Sequence, residues 1–276
     1  MAEITAAAVM ALREKTGLPM MECKKALTES GGDQDAAVEQ LRKQGIKTAE
    51  SRVGRETTEG RIAIHTDLAK KVGAMVEVLC ESAPVAGGPD LTDFANACAK
   101  QLALGPGAKT AEELLKQPSP SKSEMTLQQQ LDDIINRIRE AIKLGRVVRI
   151  DGTCGGYVHH NAKVAVLLQV EGGTAELAKD VSMHVAAMRP SSVSKEDLDA
   201  TLVAKEREIL LEAARKEGKP ENILEKMVEG RMKNFFAEKV LMEQPFVKDE
   251  KQSVGAYIKA SGMKLVRFVH WDLAKG

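Results

Sequence analysis

Gly218-Lys-Pro-Glu-Asn-Ile-Leu-Glu-Lys-Met-Val-Glu-Gly-Arg-Met-Lys-Asn-Phe-Phe236, running on to Gln244-Pro-Phe-Val247, is the stretch on which the architecture turns. Pro220 suits the first turn of a helix, where a missing N–H costs nothing, and Glu221 favours the positive helix start. Leu224, Val228, Met232, Phe236 and Val240 recur every four residues, with Ile223, Met227 and Phe235 beside them. That spacing is one apolar stripe on a helix, and Glu225, Lys226, Glu229, Arg231 and Lys233 hold its other faces. Gly230 in the middle costs about 1 kcal/mol relative to alanine, which predicts a close packing neighbour there. Upstream, Ser194 and Asp197 read as a capping-box-like start, followed by a stripe of Leu198, Leu202, Ile209 and Ala213 and a stop at Gly218. A helix from Lys195 to Glu217 would reach about 34 Å at a rise of about 1.5 Å per residue. Together the two helices form an antiparallel arm over residues 191–243 that interrupts whatever surrounds it.

What surrounds it shows an internal duplication. Gly60-Arg-Ile-Ala-Ile-His65, a turn at Asp67 to Lys71, a strand from Gly73 to Cys80 and a helix from Leu91 to Leu104 form the first copy. Gly156-Tyr-Val-His159, a turn at His160 and Asn161, a strand from Lys163 to Glu171 and a helix from Thr174 to Met188 form the second. Lys264 to Trp271 closes as a final strand. Leu127 to Leu144 reads as a helix carrying Leu131, Ile134, Ile135, Ile138 and Ile142 on one side, after a loop at Pro118-Ser-Pro-Ser-Lys-Ser123. Before the core come three short helices. Val9 and Leu12 mark the first, Met21 to Glu29 the second, and Val38 and Leu41 the third, which Asp33 caps and Gly45 closes. This trio, with its Gly-Leu-Pro loop, resembles a ubiquitin-associated-type domain. The fold class is α+β: an N-terminal three-helix domain over 1–54, a core N-subdomain over 55–117 and a linker with a connecting helix over 118–146. A core C-subdomain over 147–190 resumes over 244–276 after the inserted helical arm, and each copy is a hairpin with a helix on one face.

Charge narrows the class of partner. The 276 residues carry 40 Lys and Arg against 40 Asp and Glu, so no strong pull toward nucleic acid or a membrane surface exists. Aromatics are 3%, too few for the stacking platform of a direct RNA binder, which leaves a protein partner favoured. No run approaches the roughly 18 apolar residues of a membrane span, and acidic Glu3 argues against a signal peptide. Cys23, Cys80, Cys98 and Cys154 form no C-x-x-C pair and read as reduced, buried thiols of a cytoplasmic protein.

Covalent chemistry finds no foothold. Gly105-Pro-Gly-Ala-Lys-Thr110 imitates a phosphate loop but has Ala108 where that motif needs glycine; Thr110 and Glu113 read instead as the cap of a helix over 111–116. Cys154, His159 and His160 lack a second cluster that would complete a metal site. No nucleophile elbow or paired-carboxylate signature occurs. His184, on an apolar helix face, reads as buried and hydrogen-bonded. The expectation is a protein that uses no metal and no cofactor and is not an enzyme.

Four separated blocks carry a family likeness: Leu12-Arg-Glu-Lys-Thr-Gly17 with Met20-Met-Glu-Cys-Lys-Lys-Ala-Leu27, Tyr157-Val-His159 before Ala162 to Leu168, Met183-His-Val-Ala-Ala187, and the 218–247 stretch. In this order they resemble the elongation factor Ts family, bacterial guanine-nucleotide exchange factors of elongation factor Tu. The resemblance implies binding to elongation factor Tu in its GDP-bound and nucleotide-free states. Exchange of that kind is linkage: a protein that grips the nucleotide-free state better weakens nucleotide binding by the same factor, about 1.4 kcal/mol per tenfold. In the family, the first hairpin's second strand ends in a Thr-Asp-Phe-Val segment that pushes in beside the partner's magnesium site. Ser82, Ala83, Pro84 and Val85 stand at those positions here, so the charge and the aromatic surface are both replaced. Thr92-Asp93-Phe94 is a decoy. Asp90 and Asp93 sit like N-cap and N3 of a helix, and Phe94 aligns with Leu177 of the second copy as core. The resemblance further assigns Arg13, Met20, Met21, Lys24, His159 and Val247 to partner contact. The plain readings put one of the two methionines and Val247 in the core and make His159 structural. Two further alternatives stand beside exchange: a holding protein that stabilises nucleotide-free elongation factor Tu without fast turnover, and an arm that pairs with a second copy, pairs with the partner or packs on itself.

Overall fold

Capping and glycine placement shape the first helices. In the computed structural model, which describes residues 4–52, 54–217 and 220–275, Thr5 caps α1 (Ala6–Thr16) and Gly17, at φ 68°, ends it by donating its N–H to the Arg13 carbonyl. Pro19 precedes α2 (Met20–Glu29), and the Asp33 carboxylate accepts the Asp35 and Ala36 amides at the start of α3 (Gln34–Glu50). Val9, Leu12, Leu18, Cys23, Ala26, Leu27, Ala37 and Leu41 give this trio its own small core. The expected stop at Gly45 is corrected: α3 runs through it. A Cβ there would meet the Asn136 side chain at 3.3 Å, so the glycine serves close helix packing rather than termination.

The chain divides into two compact units, residues 1–65, 74–149 and 161–163 in one and 66–73, 150–160 and 164–276 in the other. Most of β1 (Glu59–Asp67) and of β2 (Val72–Cys80) belongs to the first, and the two strands are neighbours joined by so short a connection that they must run antiparallel. β2 is buried along nearly its whole length, as the middle strand of the order β1-β2-β3. After β2 come α4 (Ala83–Gly87) and α5 (Pro89–Leu104), which buries Leu91, Phe94, Cys98 and Leu102. Asp90 is not the N-cap, a correction. The helix begins at Pro89 behind Gly88 with no side-chain cap, and Asp90 instead accepts from Arg137 Nη2 at 2.7 Å. Thr110 caps α6 (Ala111–Leu115) by accepting the Glu113 amide, as its sequence predicts.

The connecting helix is the largest correction. α7 (Leu127–Ile138) opens with a complete capping box between Thr126 and Gln129, but Arg139, at φ 67°, closes it. Ile142 through Asp151 is the third strand, β3. Ile142 follows Ile138 by four residues, so the helical spacing ran on by coincidence. Val147, Val148 and Ile150 were the strand signal. Gly145 lets β3 close on β2, since a Cβ there would lie 2.5 Å from Glu77 Oε1, and buried Glu77 accepts from Arg146 Nε at 2.7 Å.

The second unit repeats the plan. β4 (Cys154–Val158) pairs antiparallel with β5 (Val164–Glu171), Gly156 opposite Leu167. Thr174 caps α8 (Ala175–Met188), which packs on both strands. The arm follows as α9 (Ala200–Lys216) and α10 (Glu221–Lys239) packed together. Then come β6 (Pro245–Phe246), β7 (Asp249–Ser253), α11 (Val254–Ala260) and β8 (Lys264–Asp272), which lies antiparallel along the other side of β5. Val166, Leu168, Leu177, Val181, Val185, Phe246, Val254 and Ile258 lie in one core cluster.

The arm needs three corrections. Asp199 caps α9 by accepting the Thr201 amide at 2.8 Å, and the Ser194–Asp197 hydrogen bonds close a turn ahead of the helix. The inward face of α9 is Val203, Leu210 and Ala214, whereas Leu202 and Ile209 are exposed. Nothing lies within 4 Å of a Cβ built on Gly230, so no neighbour packs close there. In α10, Leu224, Val228, Met232 and, just past its end, Val240 are buried as the four-residue spacing predicts, while Phe236 in the same stripe is only half-buried. The proposed stop at Gly218 lies outside the described residues.

Candidate partner-binding surface

The chain leaves β2 at Cys80 and builds a short protrusion. Ser82 is the N-cap of α4, yet its hydroxyl does not cap the helix; it donates to Glu140 Oε1 at 2.6 Å while its N–H donates to Glu140 Oε2 at 3.1 Å. In return Glu81 Oε1 accepts the Ala141 N–H at 2.6 Å and a guanidinium hydrogen bond from Arg55 at 3.3 Å. The Ala141 N–H, more than Arg55, holds the Glu81 carboxyl below the usual carboxylate range. At the far end Arg61 Nη1 donates to the Ala86 carbonyl at 3.0 Å and to Thr92 Oγ1. Burial lowers the Arg61 pKa, with the Asp93 carboxylate opposing. Between these anchors Ala83 and Pro84 are exposed, Val85 is half-buried and Ala86 is buried. Pro84 lies in the first turn, where the missing N–H leaves no bond unmade. The result is an uncharged tip, anchored on both sides, with no acid, base or metal ligand at its apex. Phe94 of the decoy segment is fully buried.

On the three-helix module, Arg13, Met20, Met21 and Lys24 all face solvent. The reading that places one methionine in the core is corrected: Met20 is 41% exposed and Met21 73% exposed, because Cys23, Ala26 and Leu27 take the inward positions of α2. Exposed methionine is adaptable contact surface. Glu22, next to Met21, is paired with Arg139.

His159 and Val247 belong to the second unit. The His159 ring lies 2.9 Å from the Tyr157 hydroxyl through Nδ1 and 4.2 Å, centroid to centroid, from the His160 ring; its amide donates to the Val164 carbonyl. Val247 is 41% exposed, which corrects its reading as core, while Phe246 before it is buried. The Val247 N–H donates to His184 Nδ1 at 3.3 Å, and His184 Nε2 lies 2.9 Å from Gln244 Oε1. An Nδ1 that accepts must be bare, so the proton sits on Nε2 and the ring is neutral. Burial pushes the His184 pKa down, with the Gln244 hydrogen bond opposing.

Sequence reasoning missed Glu81, Arg61, Arg139 and Glu140. Ser82 and Glu140 are 58 positions apart and no local pattern links them. Cys23, Cys80, Cys98 and Cys154 are all buried and free; burial pushes the Cys80 and Cys154 thiols up to about 11 and raises Cys98 as well. Among the described residues no group of three or more His, Cys, Asp and Glu is placed to hold a metal ion, and no helix is long and apolar enough to cross a membrane.

Residues 81–275 match the family model described as Elongation factor TS. The chain is similar to elongation factor Ts of Methylococcus capsulatus, 44% identical over 276 residues, covering 99% of this chain and 93% of that protein. It is also similar to elongation factor Ts of Alkalilimnicola ehrlichii, 42% identical with 99% and 93% covered, and to that of Hydrogenobaculum, 38% identical with 96% and 97% covered. With a likeness running through both units and the three-helix module, the chain belongs to the elongation factor Ts family.

Proposed function

We propose that this chain performs its family's nucleotide exchange by binding elongation factor Tu·GDP through three separate surfaces, weakening the hold on GDP and admitting GTP. The surfaces are Arg13, Met20, Met21 and Lys24 on the three-helix module, Ser82 to Val85 on the first core copy, and His159 with Val247 on the second. The observation that carries the reading is the tip: an exposed helix start at Ala83 and Pro84, held at both ends by charged side chains, at the exit of the central strand. A rigid protrusion resists being pushed back, so its binding free energy goes into displacing the partner's structure rather than its own. Ala83 brings no charge to a magnesium site and Pro84 no aromatic ring, so the tip acts by shape, through backbone contact that shifts the phosphate-binding loop.

Mixing the chain with its own elongation factor Tu, loaded with fluorescent GDP, tests this. Release accelerates in stopped-flow traces, and saturating GDP weakens the complex by the same factor. Tight binding with no acceleration overturns exchange and leaves the holding role. The exposed Leu202, Ile209 and Ile223 favour the arm as an association surface for a second copy of the chain, which sedimentation at rising concentration checks. A cytoplasmic location fits a translation partner and four unpaired thiols.

A further inference from the structure

The end of α7 and the residues just after it, 137–141, bond to α2, to the start of α5 and to the residues that lead into α4. Arg137 bonds Asp90 at the start of α5, and a Cβ on Gly17 of the three-helix module would meet its Cδ at 2.9 Å. Ile138 ends the helix and Arg139 turns the chain at φ 67°, a conformation that side chains other than glycine rarely adopt. Arg139 Nη2 donates to Glu22, which lies in α2 between Met21 and Lys24. The next residue, Glu140, takes both the N–H and the hydroxyl of Ser82, and Ala141 gives its N–H to Glu81. The left-handed turn is what lets adjacent side chains reach different neighbours.

We propose that Arg139 and Glu140 form a clasp that fixes the methionine surface of α2 and the α4 tip at one set distance and angle, so that both meet the partner together. They are positioning residues for exchange, and the claim rests on the function proposed above. The clasp is polar throughout. The three-helix module has its own apolar core, and β2 and α5 are anchored by theirs, so these charged bonds are not what makes either part fold. Because α3 already packs on α7 at Gly45 and Asn136, what these bonds add is the alignment of α2 with the tip. Two sites held rigidly at the right spacing bind as one, because the second contact forms without a new loss of freedom; two loosely tethered sites lose that advantage.

Arg139→Gly keeps the backbone turn and removes the guanidinium, and Glu140→Gln keeps the shape but sets an amide N–H₂ against one of the Ser82 donors. In stopped-flow release of fluorescent GDP from the chain's own elongation factor Tu, Arg139→Gly raises the half-saturating concentration about tenfold, a loss of about 1.4 kcal/mol, and leaves the maximal rate in place. Glu140→Gln lowers the maximal rate at saturation, because the tip yields when pushed. Pairing Glu22→Arg with Arg139→Glu restores the half-saturating concentration. Wild-type values for both variants, or no recovery in the charge swap, overturn the clasp while exchange itself stands; a wild-type chain that accelerates nothing overturns the function and the clasp with it. An independent measurement uses spin labels at Lys25→Cys on α2 and Lys100→Cys on α5. Their distance distribution broadens in Arg139→Gly, and an unchanged width overturns the proposal.

Discussion

The two core copies leave their central strands in different ways. From β2 the chain takes residues 81–88, with α4 among them, to reach α5; from β5 it takes only residues 172–174 to reach α8. Gly172 and Gly173 make the short exit at φ 71° and 75°, and Cβ atoms there would meet the Gly262 carbonyl and the Met263 side chain at 2.7 Å. That exit is sealed by close packing. The long exit is exposed at its apex and held by Glu81, Glu140 and Arg61. One frame thus carries a closed corner in one copy and an open, polar-anchored tip in the other, and the open one is the proposed contact. The difference predicts where each copy breaks.

Phe94→Ala has the largest expected effect. Phe94 is fully buried at the centre of the first copy, so truncation costs about 4 kcal/mol of unfolding free energy in a denaturant titration. Near-normal stability would return Phe94 to the contact surface and undo the decoy reading. Gly173→Ala attacks the sealed corner, where positive φ and a 2.7 Å approach to Met263 combine into a loss of about 3 kcal/mol by the same measurement. The equivalent insult at the open tip is harmless to folding, because Ala83 and Pro84 are exposed. Ala83→Asp with Pro84→Phe leaves the unfolding midpoint in place and speeds GDP release about tenfold, or about 1.4 kcal/mol. An unchanged rate would mean that a charge and a ring add nothing to what the shape of the tip does here.

Much of this frame was legible because local patterns and tertiary packing agreed. The stripe through Leu224, Val228, Met232 and Val240 became the buried face at and just past α10, and Thr110 and Asp33 capped the helices their spacing indicated. β3 was hidden because Ile138 and Ile142 keep a helical interval across a turn made by Arg139, a residue with no intrinsic preference for φ above zero. In α9 two stripes share a seven-residue interval, Leu202 with Ile209 and Val203 with Leu210; spacing cannot choose between them, and only the partner helix does. The tip's anchors lay beyond reach for a different reason. A carboxylate that holds an amide 58 positions away leaves no trace in local composition, so Glu140 looked like any surface glutamate.

The two covering helices also differ in what they bury. The inward face of α5 is apolar, while α8 buries His184 between Gln244 and the Val247 amide. The folded His184 pKa lies below its ordinary value of about 6.5, so the unfolded chain takes up the proton first as pH falls. Stability from this ring is therefore complete above about pH 6.5 and declines below it. Denaturation midpoints of the whole chain between neutral and mildly acidic pH should fall, and His184→Gln should flatten that slope at some cost in stability at neutral pH. A slope unchanged by the substitution would assign the acid sensitivity to carboxylates instead.

The smallest effect tests the arm inserted into the second copy. Gly230 sits in the interior of α10 with open space around its missing Cβ, so it gives up helix propensity without gaining any packing within the chain. Gly230→Ala should stabilise the protein by about 1 kcal/mol, read from the thermal midpoint. If the arm serves only its own hairpin, exchange is untouched by the added methyl. If a partner's backbone or a second copy lies against that open face, the methyl fills the contact, and the half-saturating concentration for exchange, or the dimer dissociation constant, rises while the isolated chain grows more stable. Stability and association moving in opposite directions would identify the glycine as a docking point, because a residue kept only by neglect has no reason to separate the two.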